Sequence, residues 1–315
     1  MGRSWRITSR LRAVTIASAV ISTWYVGFYM QHTNRLLTSS ATSSTTPAPI
    51  GIAPSWPPTR AMLVNIVDAD NRVTAIGVNF DYIDIAELLA ESIERVGVTN
   101  LVIVALDRDA YDVLSVRFPE RTFLPPFAAS EAVRDAVWGT GKFKAVTSTR
   151  PKFILGFLEA GCNVFYVDTD TLWRRNPFPY FKLKDDGSDM MITGSVGNLC
   201  TGLIYVKART AAIDAIRSWA DHIDQGEYQD DQAAFNAMIA PKMAAGLRVH
   251  RLDDALFPDG RTMFQVGYDW TANPDGPIII HANYLKGHDS KKAMLIDLIR
   301  SGRFLTNMGA TDDRK

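Results

Sequence analysis

Cys162-Asn-Val-Phe-Tyr-Val-Asp168-Thr-Asp170-Thr-Leu-Trp-Arg-Arg-Asn-Pro-Phe-Pro-Tyr-Phe181 reads as a buried strand that delivers two carboxylates to the edge of a sheet. Val164, Phe165, Tyr166 and Val167 show no polar alternation, which is the pattern of a central strand covered on both faces. Ligands of open α/β sheets bind beyond the carboxyl ends of the strands, and Asp168 and Asp170 fall there. Acids at i and i+2 of an extended segment point to one side and are able to share a divalent cation. Asp168-Thr169-Asp170-Thr171 equally suits an Asx-rich turn that merely ends a strand. Beyond it, Asn176-Pro177-Phe178-Pro179 forbids helix continuation and turns the chain away.

Just upstream, residues 151–160 have helical apolar spacing, with Pro151 in the first turn and Gly161 as the C-terminal cap. Lys142, Lys144, Arg150 and Lys152 put positive charge before the acids. Each alone suits a solvated face. Together, beside a metal-binding pair, they suit a diphosphate, which needs both a bridging cation and Lys/Arg neutralisation. Earlier still, residues 62–67 predict a first strand, 82–96 a helix ending at Gly97, and 101–106 a second buried strand stopped by Asp107. Strand, helix and strand of these lengths form a right-handed unit of a parallel sheet. A helix over 111–118, a strand over 121–124 and a mobile loop over 125–149 follow.

Downstream, strands are expected at 189–194 and 202–206 and a helix at 211–222. Asp230 suits the N-cap of a further helix, with Asp231 in its first turn. The run Ile278-Ile279-Ile280 delivers His281 to an edge, followed by Asn283, Lys286, Gly287, Lys291 and Lys292. The aromatics, Trp270 included, are expected in the core by default, and stacking on an acceptor sugar is the alternative for Trp270.

The chain has 315 residues, with 34 basic and 34 acidic side chains. That length suits one large α/β domain or two small ones, and the charge balance argues against a nucleic-acid binder. Two cysteines, Cys162 and Cys200, leave room for a single bridge at most. No acid occurs before Asp68, while Arg3, Arg6, Arg10 and Arg12 crowd the N-terminus. Residues 13–30 are uncharged and would span roughly 27 Å as a helix, enough for a thin endomembrane bilayer. Trp24, Tyr25 and Tyr29 stand where interfacial anchors belong. The expected order is a cytosolic tail (1–12), a type II signal anchor (13–30), a Ser/Thr/Pro stalk (31–60) and a globular domain (61–315). That order fits a single-pass Golgi membrane enzyme. A mitochondrial presequence is the alternative, since it too is Arg- and Ser-rich and acid-poor.

With these residues in view, the chain resembles the nucleotide-diphospho-sugar transferases of glycosyltransferase family 77. The 152–181 segment carries the resemblance, and Thr201-Gly202, Asp231-Gln232 with Asn236, Phe257-Pro258, and His281-x-Asn283 with Gly287 and Lys291 follow in order. The resemblance implies a GT-A fold with a mostly parallel central sheet flanked by helices, and retaining transfer from a UDP-sugar to a glycan or glycoprotein hydroxyl. It implies Mn²⁺ (or Mg²⁺) held by Asp168, Asp170 and His281, with Lys152, Lys291, Lys286, Thr201 and Gly202 on the donor. Asp231 and Gln232 are then the catalytic-side pair, with Asp231 stabilising charge near the sugar's C1. The family usually shows Asn-Thr-Gly where this chain has Cys200-Thr201-Gly202, which bears on donor preference. A haloacid-dehalogenase-like phosphatase is the second reading, with Asp168 as nucleophile, Asp170 as acid, and Thr193, Lys207 and Asp253-Asp254 as later motifs. A membrane-tethered protein that binds sugar without turnover is the third.

Overall fold

The computed structural model describes residues 56–300 except 135, 137, 138, 196 and 227. The tail, anchor and most of the stalk lie outside the described residues, as does Trp138. Among the described residues no helix is long and apolar enough to cross a membrane.

The sheet has seven strands in the order β3-β2-β1-β4-β7-β6-β8. They are β1 (Arg72–Val78), β2 (Leu101–Ala105), β3 (Thr122–Phe123), β4 (Asn163–Val167), β6 (Met190–Ser195), β7 (Asn198–Val206) and β8 (Val249–Arg251). Only β7 runs against its neighbours, so the sheet is mostly parallel, as expected. A separate antiparallel pair joins β5 (Thr171–Trp173) to β9 (Ile279–His281). The helices are α1 (Arg60–Leu63), α2 (Ile83–Arg95), α3 (Arg108–Arg117), α4 (Gly141–Thr147), α5 (Arg150–Glu159), α6 (Phe178–Leu183), α7 (Thr210–Asp224), α8 (Asp231–Ala244) and α9 (His288–Arg300).

β4 is the central strand its sequence announces. Val164 and Tyr166 enter one apolar cluster with Phe153, Phe157, Ile204 and Trp219. Phe165 and Val167 enter another on the opposite face, with Trp173, Phe181 and Leu203. Burial on both faces is what removes polar alternation from the strand.

Four expectations are corrected. Residues 62–67 are not a strand: Thr59 caps α1 by accepting from the Met62 amide at 3.4 Å, and turns follow. A short apolar run does not distinguish a strand from a buried helix turn. β1 lies ten residues on, after a turn in which the Asp68 carboxylate accepts from the Asp70 and Arg72 amides, each at 3.0 Å. The 125–149 segment is not all loop, because Thr140 caps α4 within it. Pro177 and Pro179 do not bar a helix but open one, α6, where their missing amides cost no hydrogen bond. Finally, Trp56, assigned to the stalk, packs edge-on against Phe123, Phe127 and Phe157, so the folded unit reaches back to it.

Candidate active site

The site is built where β4, β7, β9 and the N-terminus of α8 meet. β4 ends at Val167, and the Asp168 amide still bonds to the Gly202 carbonyl of β7 at 2.8 Å. The chain then turns instead of staying extended. The Thr171 amide and hydroxyl both donate to the Asp168 carbonyl, at 3.2 and 2.9 Å. The Asx-rich turn and the paired acids are thus the same structure. β5 leaves this turn and pairs with β9 so that Thr171 faces His281, while the Ala282 amide donates to the Asp170 carbonyl at 2.8 Å.

That pairing brings His281 Nε2 to 3.3 Å from Asp170 Oδ1 and 3.6 Å from Asp168 Oδ2. One ligating atom from each of Asp168, Asp170 and His281 lies within 4.8 Å of the others. Asp170 and His281 are buried, whereas the Asp168 side chain keeps a quarter of its surface exposed, so the cluster opens on the Asp168 side. Gly202 makes the approach possible: a Cβ there would collide with the Asp168 carboxylate and the His281 ring. Lys291 of α9 reaches in and donates to Asp170 Oδ2 at 2.6 Å.

A second cluster adjoins the first through Asp168. Arg150, the first residue of α5, donates to Asp168 Oδ1 and Thr201 Oγ1, each at 2.7 Å, and to Asp231 Oδ2. Thr201 Oγ1 also donates to Asp231 Oδ2 at 3.2 Å, and the Tyr166 hydroxyl donates to Asp168 Oδ1. Asp231 is in the first turn of α8, which Asp230 caps by accepting from the Ala233 amide at 2.8 Å. Gln232 Oε1 accepts from the Thr201 amide at 3.4 Å. Arg150 Nε is buried without a partner, so the guanidinium retains a donor for something further.

Charge balance sets the protonation states. Burial would raise the Asp168 carboxyl, yet Arg150 and then His281 hold it below the usual carboxylate range. Burial likewise opposes ionisation of Asp170, and Lys291 and His281 override it. His281 is held well above the ordinary imidazole value, against its burial, by Asp170 and Asp168. Lys291 is pushed up to about 12, again against burial, by Asp170. Asp231 goes the other way: its burial, reinforced by the nearby Asp168, outweighs the pull of Arg150. Three acids therefore face Arg150, Lys291 and His281, whose imidazole Asp170 and Asp168 hold above its ordinary value.

The structure brings together Asp168, Asp170, His281, Lys291, Thr201, Gly202, Asp231 and Gln232. It does not bring Lys152, whose ammonium pairs with Asp224 at 2.7 Å on the outer side of α5, nor Lys286, which is exposed in the loop before α9. Of the basic group upstream of the acids, Lys142 and Lys144 are spent on the backbone carbonyls of Arg134 and Tyr228, and Arg150 alone enters the site. Pro151 was the visible signal there: a proline in the first turn places the residue before it at the helix mouth. Tyr166 was legible only as core. Cys162 and Cys200 are both free. Trp270 lies against Tyr268 and beneath the Arg174 guanidinium. The phosphatase reading fails on topology: Val206 pairs with Val164, so Lys207 sits where β4 begins, across the sheet from Asp168, and is paired with Asp185.

The sequence profile of the nucleotide-diphospho-sugar transferases matches residues 96–295. The chain belongs to the nucleotide-diphospho-sugar transferase family. Among proteins similar to this family member is UDP-D-xylose:L-fucose alpha-1,3-D-xylosyltransferase 3 of Arabidopsis thaliana, 25% identical over 258 residues, which are 73% of this chain and 66% of that one. UDP-galactose:fucoside alpha-3-galactosyltransferase of Dictyostelium discoideum is 26% identical over 186 residues, 51% of this chain and 28% of that one. The chain thus spans less than two thirds of the length of either. Among solved structures, the apo form of the bifunctional glycosyltransferase WbbM matches 76% of this chain and 53% of its own, at 14% identity and a TM-score of 0.49.

Proposed function

We propose that the protein transfers a sugar from a UDP-sugar to a hydroxyl of a glycan or glycoprotein, on a GT-A type fold and with a divalent metal. The observation that carries this reading is the convergence of Asp168, Asp170 and His281 beside Lys291 at the carboxyl edge of β4, in a member of this family. Xylosyl- and galactosyltransferases among its relatives use UDP-sugars by name, which supports the donor class.

The donor set fits a metal. Two carboxylate oxygens and one imidazole nitrogen converge, and a side chain at Gly202 would close the space. Oxygen ligands with one nitrogen favour Mn²⁺ over Mg²⁺. Bound there, the ion would neutralise the charge that builds on the departing UDP. The chain's own groups do the rest. Lys291, now on Asp170, supplies a mobile cation for a phosphate oxygen. Arg150 anchors Asp231 and Asp168 with its two terminal nitrogens and offers its buried Nε. Asp231 stands fixed on α8, where its carboxylate would stabilise positive charge developing at the anomeric carbon. We read the transfer as retaining, by front-side attack with the leaving phosphate taking the acceptor proton. We further place the enzyme on the Golgi membrane through residues 13–30.

The test is UDP release by the purified full-length chain across a panel of UDP-xylose, UDP-galactose and UDP-arabinose, beside Asp168→Ala and Asp170→Ala. Turnover of one donor, lost with EDTA and in both variants, is expected. Donor binding without turnover would leave a sugar-binding protein instead, and a trapped glycosyl-Asp231 adduct would overturn front-side attack.

A further inference from the structure

His281 has two nitrogens, and only Nε2 faces the acids. Nδ1, on the far side of the ring, lies 3.9 Å from Cys200 Sγ. Cys200 and Gly202 both belong to β7 and both lie against the His281 ring. Gly202 leaves room for the imidazole, and Cys200 stands behind it. The sulfur has a second neighbour, Asn283 Nδ2, also at 3.9 Å. The orientation of that amide is set from beyond, because Asn283 Oδ1 accepts from the Gly260 amide at 2.7 Å. With the oxygen engaged, the NH₂ end is the one turned to the sulfur. Gly260 in turn admits no side chain, since a Cβ there would overlap the Asn283 carbonyl. One hydrogen-bonded line therefore runs from the Gly260 amide through Asn283 and Cys200 to His281.

We infer that Cys200, oriented by Asn283, is the positioning residue that keeps the proton of His281 on Nδ1 and its Nε2 lone pair on the metal side. This inference rests on the metal-dependent reading above. The chemistry follows from the inventory of donors. An NH₂ group only donates, so the sulfur receives Asn283 as an acceptor and is left with lone-pair density for a second donor. When Nε2 ligates the metal, the neutral ring carries its proton on Nδ1, and that N–H faces the sulfur. Imidazole ligands are ordinarily held in this way by a carboxylate, a backbone carbonyl or water, and the loss of such a partner lowers metal affinity by about 10–100-fold. A thiol is a weaker acceptor than any of these, which puts the expected effect at the low end of that range.

Mn²⁺ binding to the full-length chain, titrated by the EPR signal of the free ion, tests this without requiring turnover. Cys200→Ala should weaken Mn²⁺ binding about tenfold while leaving the thermal melting curve in place. Cys200→Ser, whose hydroxyl also accepts, should recover most of the loss, and Asn283→Ala should show a smaller loss in the same direction. Binding by Cys200→Ala within twofold of wild type would overturn the inference, as would a serine variant as weak as the alanine one, since the sulfur would then only fill space. Failure of the wild-type chain to bind Mn²⁺ would remove the metal reading itself, and the two failures are told apart by that wild-type control.

Discussion

Arg150 shows how much one side chain is made to carry. It is buried, and its guanidinium meets Asp168, Asp231 and Thr201 together. A planar fork with several donors does this, whereas an ammonium on a flexible stem does not. Arg150→Ala would leave two carboxylates facing each other beneath the surface. The loss of one partner from a buried ion pair costs about 3–5 kcal/mol, so the variant should unfold at clearly lower urea, with Arg150→Lys in between. The pH dependence has a definite sign. Arg150 is the leading group that holds Asp168 below its ordinary 3.8, so the stability this gives is present above pH 3.8 and fades as pH falls through the lowered value. Without Arg150, Asp168 and Asp231 take up protons more readily. The deficit of the alanine variant should therefore be full at neutral pH, shrink as those carboxyls take up protons, and close only as pH falls through the lowered value of Asp168. Equal urea midpoints at pH 7 would show that the cluster contributes nothing net to the fold.

At the level of elements, the site depends on α8 being locked in register with β7. Asn236 provides the lock: its Oδ1 accepts from the Leu199 amide at 2.8 Å, and its Nδ2 donates to the Leu199 carbonyl at 2.9 Å. One side-chain amide thus completes the edge of a strand and fixes the first turn of α8, where Asp231 and Gln232 sit. Asn236→Ala would strand a buried amide and carbonyl at about 1–3 kcal/mol. Chemical denaturation should read that loss, together with weaker donor binding. An unchanged midpoint would mean that water replaces the amide. Such tertiary contacts are what the sequence conceals. The helices at 82–96, 151–160 and 211–222 were legible because amphipathic spacing or a capping residue is local information. β1 was not, because Gly77 and Thr74 weaken its apolar pattern and the stronger run at 62–67 competes with it. The prolines of α6 were misjudged because position within a helix decides whether proline is harmful. Asp168, Asp170 and His281 were legible because each ends or follows a strong apolar strand. Arg150 was hidden among lysines of the same charge, and only the fold distinguishes the one that turns inward.

For the whole molecule, the separate strands and helices become one binding unit only where their ends converge. Asp168 and Asp170 follow β4, Thr201 and Gly202 come from β7, His281 from β9, Lys291 from α9, and Arg150 and Asp231 from the first turns of two helices. Most of these are tied by mutual ion pairs rather than by apolar contact, so the ligand-free site balances its own charge. A divalent ion alone must compete with Lys291 and with protonation of His281, which the neighbouring acids favour, whereas an ion arriving with a diphosphate brings negative charge for the displaced lysine. Metal and UDP should therefore stabilise the protein together far more than either does alone. At a hundredfold excess over the dissociation constant, a ligand of the native state adds about 2.7 kcal/mol. For a domain of this size that corresponds to a rise of roughly 5–10 °C in melting temperature. Scanning calorimetry with Mn²⁺, with UDP, and with both should show a large shift only for the pair, and the shift should vanish in Asp170→Ala. Equal shifts with UDP alone and with the pair would mean that the nucleotide is held by Lys291 and Arg150 without any ion between them.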